Sequence, residues 1–125
     1  MNIVDSSAWL EFFAGTKHGE RFSRIIENTK SLMVPTVILY EVFKKILIEK
    51  NEETALKIVA HMKLGKIIDL DLDIALSAGA VSMHTKLPFA DSVILATSQK
   101  YDATLWTLDS DFKGLPRVKY FAKSG

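Results

Sequence analysis

TLWTLDSDF, residues 104–112, is the stretch on which the reading of the fold turns. Its first half reads as a buried strand, with Leu105, Trp106 and Leu108 set among threonines. Its second half places Asp109 and Asp111 immediately after that strand. In open α/β sheets the chemistry sits outside the carboxyl ends of the strands. Acids at that point either shape a turn or hold a cation, and the rest of the chain has to decide between them.

Working outward, PFADSVILATSQKY (88–101) reads as an amphipathic helix opened by Pro88, and VKYFA (118–122) as a closing strand after the turn KGLPR. The same alternation recurs toward the amino terminus. MNIV (1–4) is a short buried strand, and DSSAWLEFFAG (5–15) is a helix stopped by Gly15. GERFSRIIEN (19–28) reads as one helical piece, SLMV (31–34) as a strand, and Pro35 as part of the first turn of a helix running through Lys50. On that helix Ile38, Val42 and Ile46 recur at four-residue spacing, as do Leu39, Phe43 and Leu47, which predicts a largely buried helix. NEETALKIVAHMKLG (51–65) is helical, KIIDL (66–70) strand-like and DIALSAGAVSMHTK (73–86) helical again. Short apolar strands alternating with helices predict an α/β fold, a three-layer α/β/α sandwich around a mostly parallel central sheet, with a helical pair between the second and third strands.

A chain of 125 residues has room for one core, so a single domain over 1–125 is expected. At 48% apolar and 25% charged it excludes disordered, collagen-like and fibrous classes. The 16 basic residues against 15 acidic give no global pull toward nucleic acid or membranes, so any such partner must be met by a local patch. The absence of cysteine removes disulfides and Cys-containing zinc or iron–sulfur sites, and MNIVDSSAW lacks the features of a signal peptide. A cytoplasmic protein is expected. The longest apolar run, residues 34–48, is broken by Glu41, Lys44 and Lys45 and falls short of the roughly 20 residues of a membrane span, so no membrane partner is expected. No GxGxxG or GxxxxGK[ST] loop is present, which argues against a dinucleotide or P-loop site.

Asp5 directly follows the first strand and Asp109 follows the strand at 104–108. Glu41 falls in the second turn of the helix after SLMV, and Asp91 in the first turn after Pro88. Acids from distant parts of the chain are thereby aimed at one edge of the sheet. Each also has a structural explanation. Asp5 with Ser6 and Ser7 would make a good helix cap, worth about 0.5–2 kcal/mol. Glu41 could pair with Lys45 for about 0.2–0.5 kcal/mol, and Asp91 could complement a helix dipole for about 0.3–1 kcal/mol. Gathered at ~5 Å, however, carboxylates repel by roughly 3 kcal/mol per pair at an effective dielectric near 20. No Lys or Arg stands within a few residues of Asp5 or Asp91. A hard divalent cation, Mg²⁺ or Mn²⁺, is the natural counter-charge for such a set of oxygens.

VDSSAW, VPTVILYEVF and PFADSVILATSQKYDATLWTLDSDF, in that order, resemble the PIN-domain nucleases, in particular the VapC-type toxins of toxin–antitoxin pairs. The resemblance covers almost the whole chain and rests on the order and setting of its motifs. It implies that Asp5, Glu41, Asp91 and Asp109 form an acidic catalytic quartet, that Ser7 and Thr107 are its hydroxyl positions, and that Asp111 is an additional acid. It also implies Asp5 and Asp91 as direct metal ligands, with Glu41 and Asp109 completing the charge or holding waters. Oxygen-bound Mg²⁺ polarises a phosphodiester and activates water for in-line attack. The expected activity is therefore ribonuclease cleavage leaving 5′-phosphate and 3′-hydroxyl ends, with translation the process stopped and a small antitoxin protein as partner. Lys44, Lys45, Lys50, Lys113, Arg117 and Lys119 are candidate RNA-backbone contacts or, equally, a solvated face. Trp9, Phe12 and Phe13, at one-turn spacing with Leu10, read as core, although the resemblance implies pairing through this kind of helical surface and hence a homodimer.

Two other classes stay open on the sequence. A phospho-acceptor receiver domain is also α/β, of this length and Mg²⁺-binding, but it needs an adjacent acid pair after the first strand and a lysine after a late one. A non-catalytic interaction module would use the acids only as caps. The run DLDLDIALSAGA spaces Asp69, Asp71 and Asp73 like a calcium loop, yet Ile74 stands where glycine is needed and Ala80 where glutamate is needed, so a helix cap is expected. His18, His61 and His84 lack ligand spacing and read as surface or helix-packing residues.

Overall fold

The computed structural model describes residues 1–123. Strands β1 (Asn2–Val4), β2 (Leu32–Pro35), β3 (Lys66–Ile68), β4 (Thr104–Thr107) and β5 (Val118–Tyr120) form one five-stranded sheet in the order β3-β2-β1-β4-β5. Every pairing is parallel, so the mostly parallel sheet that was expected is parallel throughout. Ile3 stands between Met33 and Leu105 in register, and all three are buried, as strands covered on both faces require.

Helices α1 (Ser6–Ala14), α2 (Lys17–Glu20), α3 (Ser23–Glu27), α4 (Thr36–Glu49), α5 (Glu52–Met62), α6 (Leu72–Thr85) and α7 (Phe89–Lys100) fill the crossovers. From β1 the chain adds strands in one direction to β2 and β3, then returns to place β4 on the other side of β1. Right-handed crossovers on either side of that reversal put helices on both faces, which is the three-layer α/β/α arrangement. The reversal also makes a switch point between β1 and β4, where a crevice opens beyond the strand ends. The Asp5 amide donates to the Trp106 carbonyl at 2.9 Å, so the two chains leave the sheet there side by side.

Several local expectations are corrected. The segment 19–28 is not one helix: α2 ends at Glu20 and α3 begins at Ser23. Within α2, Gly19 lies so close to Glu11 and Phe12 of α1 that a Cβ there would sit 2.5 Å from Phe12 Cα. Pro35 and Pro88 are extended N-caps and not first-turn residues, with ψ of 139° and 169°. Helix α4 is not largely buried: Ile38, Val42 and Ile46 face inward, whereas Tyr40, Leu47 and Ile48 are exposed. Helix α7 departs in the other direction, with Ser92 through Ser98 all buried instead of one amphipathic face. Ser92 and Thr97 donate their hydroxyls to the Leu87 and Val93 carbonyls, which lets two polar residues enter the core.

The capping reading of Asp71 holds, since its carboxylate accepts from the Ile74 amide at 2.9 Å and pairs with Lys100 at 2.9 Å. His61 packs edge-on against the Trp9, Phe12 and Phe13 rings. Trp9 is fully buried, while Phe12 and Phe13 are half-buried. Among the described residues no helix is long and apolar enough to cross a membrane.

Candidate active site

The structure brings Asp5, Glu41, Asp91, Asp109 and Asp111 to the carboxyl edge of the sheet at the switch point. β1 delivers Asp5 and β4 delivers Asp109, while the first two turns of α4 and α7 bring in Glu41 and Asp91. Carboxylate oxygens of Asp91, Asp109 and Asp111 lie within 4.8 Å of one another. That trio is the tightest acidic group here. Asp5 and Glu41 stand close enough for their charges to act on the same carboxyls.

Asp5 is the deepest member, 3% exposed. It occupies the N-cap position of α1, yet its side chain makes no capping bond. Its Oδ2 instead accepts from Ser7 Oγ at 3.0 Å and from Thr107 Oγ1 at 2.8 Å. Each hydroxyl is in turn fixed by a backbone donor. The Leu108 amide donates to Ser7 Oγ at 3.2 Å and the Asp109 amide to Thr107 Oγ1 at 2.9 Å. With their oxygens accepting from the main chain, both hydroxyls have their own protons to give to Asp5. Ser7 and Thr107 are thus brought to the acid they were expected to support.

Glu41 does not pair with Lys45, which binds Glu49 at 3.0 Å. Its Oε1 is buried and has no hydrogen-bond partner. A buried, unpartnered carboxylate oxygen beside other acids lacks a counter-charge, and the site supplies only hard oxygen donors. Both features suit a hard divalent cation. Asp109 keeps part of its structural explanation, because its Oδ1 accepts from the Asp111 amide at 2.9 Å and so shapes the 3-10 turn at Ser110–Phe112. That turn carries the Asp111 carboxyl into the trio.

The electrostatics follow from this crowding. Burial pushes the Asp91 carboxyl up to about 7, with further rises from Asp5, Asp109, Glu41 and Asp111 in that order. Burial likewise raises Glu41, as do Asp5 and Asp109, against the lowering effect of the Ser6 hydroxyl. Asp5 is raised by burial as well, although the Thr107 and Ser7 hydroxyls and the Ser6 amide oppose the shift. All three carboxyls are displaced in the same direction, by burial first and by the neighbouring acids second.

The basic residues are only partly drawn to this edge. Lys44 stands at the hydroxyl edge of Tyr40 and Lys113 lies near the Tyr120 ring, while Arg117 is committed to Asp102 at 2.6 Å and Lys45 to Glu49. Asp111, expected in a supporting role, stands level with Asp91 and Asp109 in the trio. Its D-x-D spacing across a turn after a strand was the available signal. Tyr40 adds an exposed ring on the helix that bears Glu41, and its i,i+4 relation to Lys44 is readable in the sequence.

Comparison with known proteins bears on this geometry. The sequence profile of the PIN domain matches residues 3–118. A toxin–antitoxin complex from Klebsiella pneumoniae contains a chain of similar fold, with a TM-score of 0.82 at 22% identity, covering 98% of this chain and 99% of that one. VapC20 from Mycobacterium tuberculosis, described as a sarcin-ricin loop cleaving toxin, matches with a TM-score of 0.75 at 17% identity over 93% of this chain and 95% of its own. DNA-bound VapBC from Salmonella typhimurium matches with a TM-score of 0.74 at 16% identity over 98% of each chain. At these identities the likeness is one of fold. No curated protein sequence matches the chain.

Proposed function

The chain belongs to the PIN domain family, and on that premise we propose that it is a divalent-metal-dependent ribonuclease, the toxin of a toxin–antitoxin pair. The observation that carries this reading is the convergence of Asp5, Glu41, Asp91, Asp109 and Asp111 on one edge without a basic partner among the described residues. Acids serving only as caps do not account for it, because Asp5 makes no cap and Glu41 no ion pair. A receiver domain does not fit either, since its strands run in the order 2-1-3-4-5 and not β3-β2-β1-β4-β5.

Asp5 and Asp91 are the proposed direct ligands of Mg²⁺ or Mn²⁺, with Glu41 and Asp109 completing the charge and Asp111 at the open side. Such an ion, when bound, supplies Lewis acidity toward a phosphodiester. The chain's own contribution is orientation. Ser7 and Thr107 hold one Asp5 oxygen with two donors, so the carboxylate cannot rotate away from the crevice. Asp91, with its carboxyl near neutrality, holds or releases a proton over the physiological range, and that proton must leave when a cation enters.

RNA is the proposed substrate and a small antitoxin protein the proposed partner, in the cytoplasm. Toxin–antitoxin assemblies among chains of this fold support the second point. A homodimer is proposed as well. Trp9 is buried and unavailable to it, but Leu72, Leu76, Met83 and Phe89 stand exposed along α6 and the start of α7. They flank a hollow of about 390 Å³ lined by Ala75, Ala78, Gly79 and Ser82.

The test is cleavage of end-labelled total RNA and tRNA by purified protein with Mg²⁺, Mn²⁺ or chelator, beside Asp91→Asn prepared identically. Discrete, metal-dependent cuts absent from the variant are expected. Equal cutting by both proteins would assign the activity to a contaminant and remove Asp91 from the site.

A further inference from the structure

Helix α4 brings Glu41 to the acid cluster, and the side chains next to it are left open in a way that core packing does not explain. Tyr40 is 60% exposed. Together with Glu41, Lys44, Lys45 and Ile48 it lines a groove of about 250 Å³. One lining residue is therefore a site acid, and the others are an aromatic ring, two lysines and an apolar side chain. Lys44 Nζ lies 3.4 Å from the Tyr40 hydroxyl and 5.7 Å from the ring centroid. Lys44 has no carboxylate partner among the described residues, whereas Lys45 is engaged by Glu49. An exposed ring with a positive charge at its edge, one residue from the reacting cluster, is a device for a ligand that is both flat and anionic.

We propose that Tyr40 and Lys44 form a nucleotide subsite for single-stranded RNA beside the scissile phosphate, a base stacking on Tyr40 while Lys44 meets the adjoining phosphate. The inference rests on the ribonuclease reading and deepens it by naming the form of the substrate. A base can reach the ring only when it is unpaired, because in a duplex its faces are covered by neighbours. The subsite therefore favours loops and single strands, and it does so without reading sequence, since every base offers a π-face. An acidic peptide would also answer to Lys44, but it would have to lie against the uncompensated carboxylates at the Glu41 end of the groove.

The test measures binding of a labelled single-stranded RNA oligonucleotide, and of the same strand in a duplex, to the full chain under chelator, alongside cleavage by the wild type with Mn²⁺. Tyr40→Ala is expected to weaken single-strand binding about 5- to 100-fold, the range of base-on-aromatic stacking, and Tyr40→Phe to stay within about twofold. Lys44→Gln is expected to weaken binding and to flatten the salt dependence by about 0.7 in log–log slope. Thermal melting checks that the exposed substitutions leave the fold unchanged. Wild-type affinity in Tyr40→Ala would overturn the subsite, as would equal losses for single strand and duplex. If the wild type cleaves while Tyr40→Ala binds normally, the subsite fails and the nuclease reading stands. If the wild type never cleaves while Tyr40→Ala still loses single-strand affinity, the subsite stands and the nuclease reading fails. Displacement of RNA by polyglutamate as readily as by unlabelled oligonucleotide would mark the groove as an acidic-peptide site and overturn the proposal.

Discussion

Asp91 concentrates the consequences of the site at a single residue. Its carboxyl titrates near 7 in the folded chain, where burial and four acids disfavour the charge, and at about 3.9 when unfolded. The folded state thus holds the proton more tightly, so this group's contribution to the stability of the metal-free protein is fully present below about pH 4 and is lost as pH rises toward 7. Glu41 and Asp5 are raised too and act in the same direction. The Asp91 shift corresponds to at most about 4 kcal/mol, which solvent on its open side screens to about 1–2 kcal/mol. Melting under chelator should therefore show Tm falling between pH 4 and 7, and Mg²⁺ should restore it near neutrality. Asp91→Asn should flatten the profile and raise Tm at pH 7 without metal; a lower Tm there would mean the acids do not repel. Thr107 gives a prediction of opposite sign. Thr107→Val keeps the shape but removes a donor from Asp5 and an acceptor from the Asp109 amide, both at a fully buried position. It should cost about 1–3 kcal/mol in denaturant unfolding and reduce cleavage although every carboxylate remains. Unchanged stability and rate would remove the hydroxyl from the positioning role assigned to it.

At the scale of elements, the sequence disclosed which segments are strands and which acids follow them, because apolar runs and the residues after them are contiguous in the chain. What it did not disclose depends on contacts between distant segments. The packing of α2 against α1 is one case. Gly19 reads as an ordinary helical glycine, and only the backbone of α1 against it shows why no side chain fits. Thr16 fixes the same junction, accepting from the Gly19 amide at 3.1 Å and donating to Glu11 Oε2 at 2.6 Å. Gly19→Ala should therefore lower stability by about 2 kcal/mol or more, since main-chain atoms cannot step aside as a flexible side chain would. Equilibrium unfolding checks this, and a change below about 0.5 kcal/mol would show that the α1–α2 junction yields. The face of α4 is the second case. Two apolar rows at four-residue spacing look alike in sequence, but the Ile38, Val42 and Ile46 row meets the core while Leu47 stays partly exposed beside Tyr40 and Ile48. The site showed the same limit: the members of the acid cluster were legible one by one, whereas the trio of Asp91, Asp109 and Asp111 needed the turn that Asp109 itself builds.

For the whole molecule, strand order and surface chemistry bear on assembly. The reversal between β1 and β4 gathers negative charge at one end of a chain whose formal net charge is only +1. One patch of exposed apolar side chains runs along α6 and the start of α7, where Leu72, Leu76 and Phe89 are 72%, 68% and 68% exposed. Between these projecting side chains the helix presents the small residues Ala75, Ala78, Gly79 and Ser82, and nothing lies within 4 Å of where a Gly79 Cβ would be. Projections beside a hollow on one surface are what a two-fold interface requires, because each copy can offer its side chains to the other's hollow. The proposed homodimer is expected to use this face. Leu76→Glu should then shift the protein to a monomer in light scattering at micromolar concentration, since it places two charges in one apolar interface. Because Leu76 is exposed in the single chain, the monomer should retain its circular dichroism. A variant that stays dimeric would move the interface to another surface, and a wild type that is already monomeric would remove the homodimer.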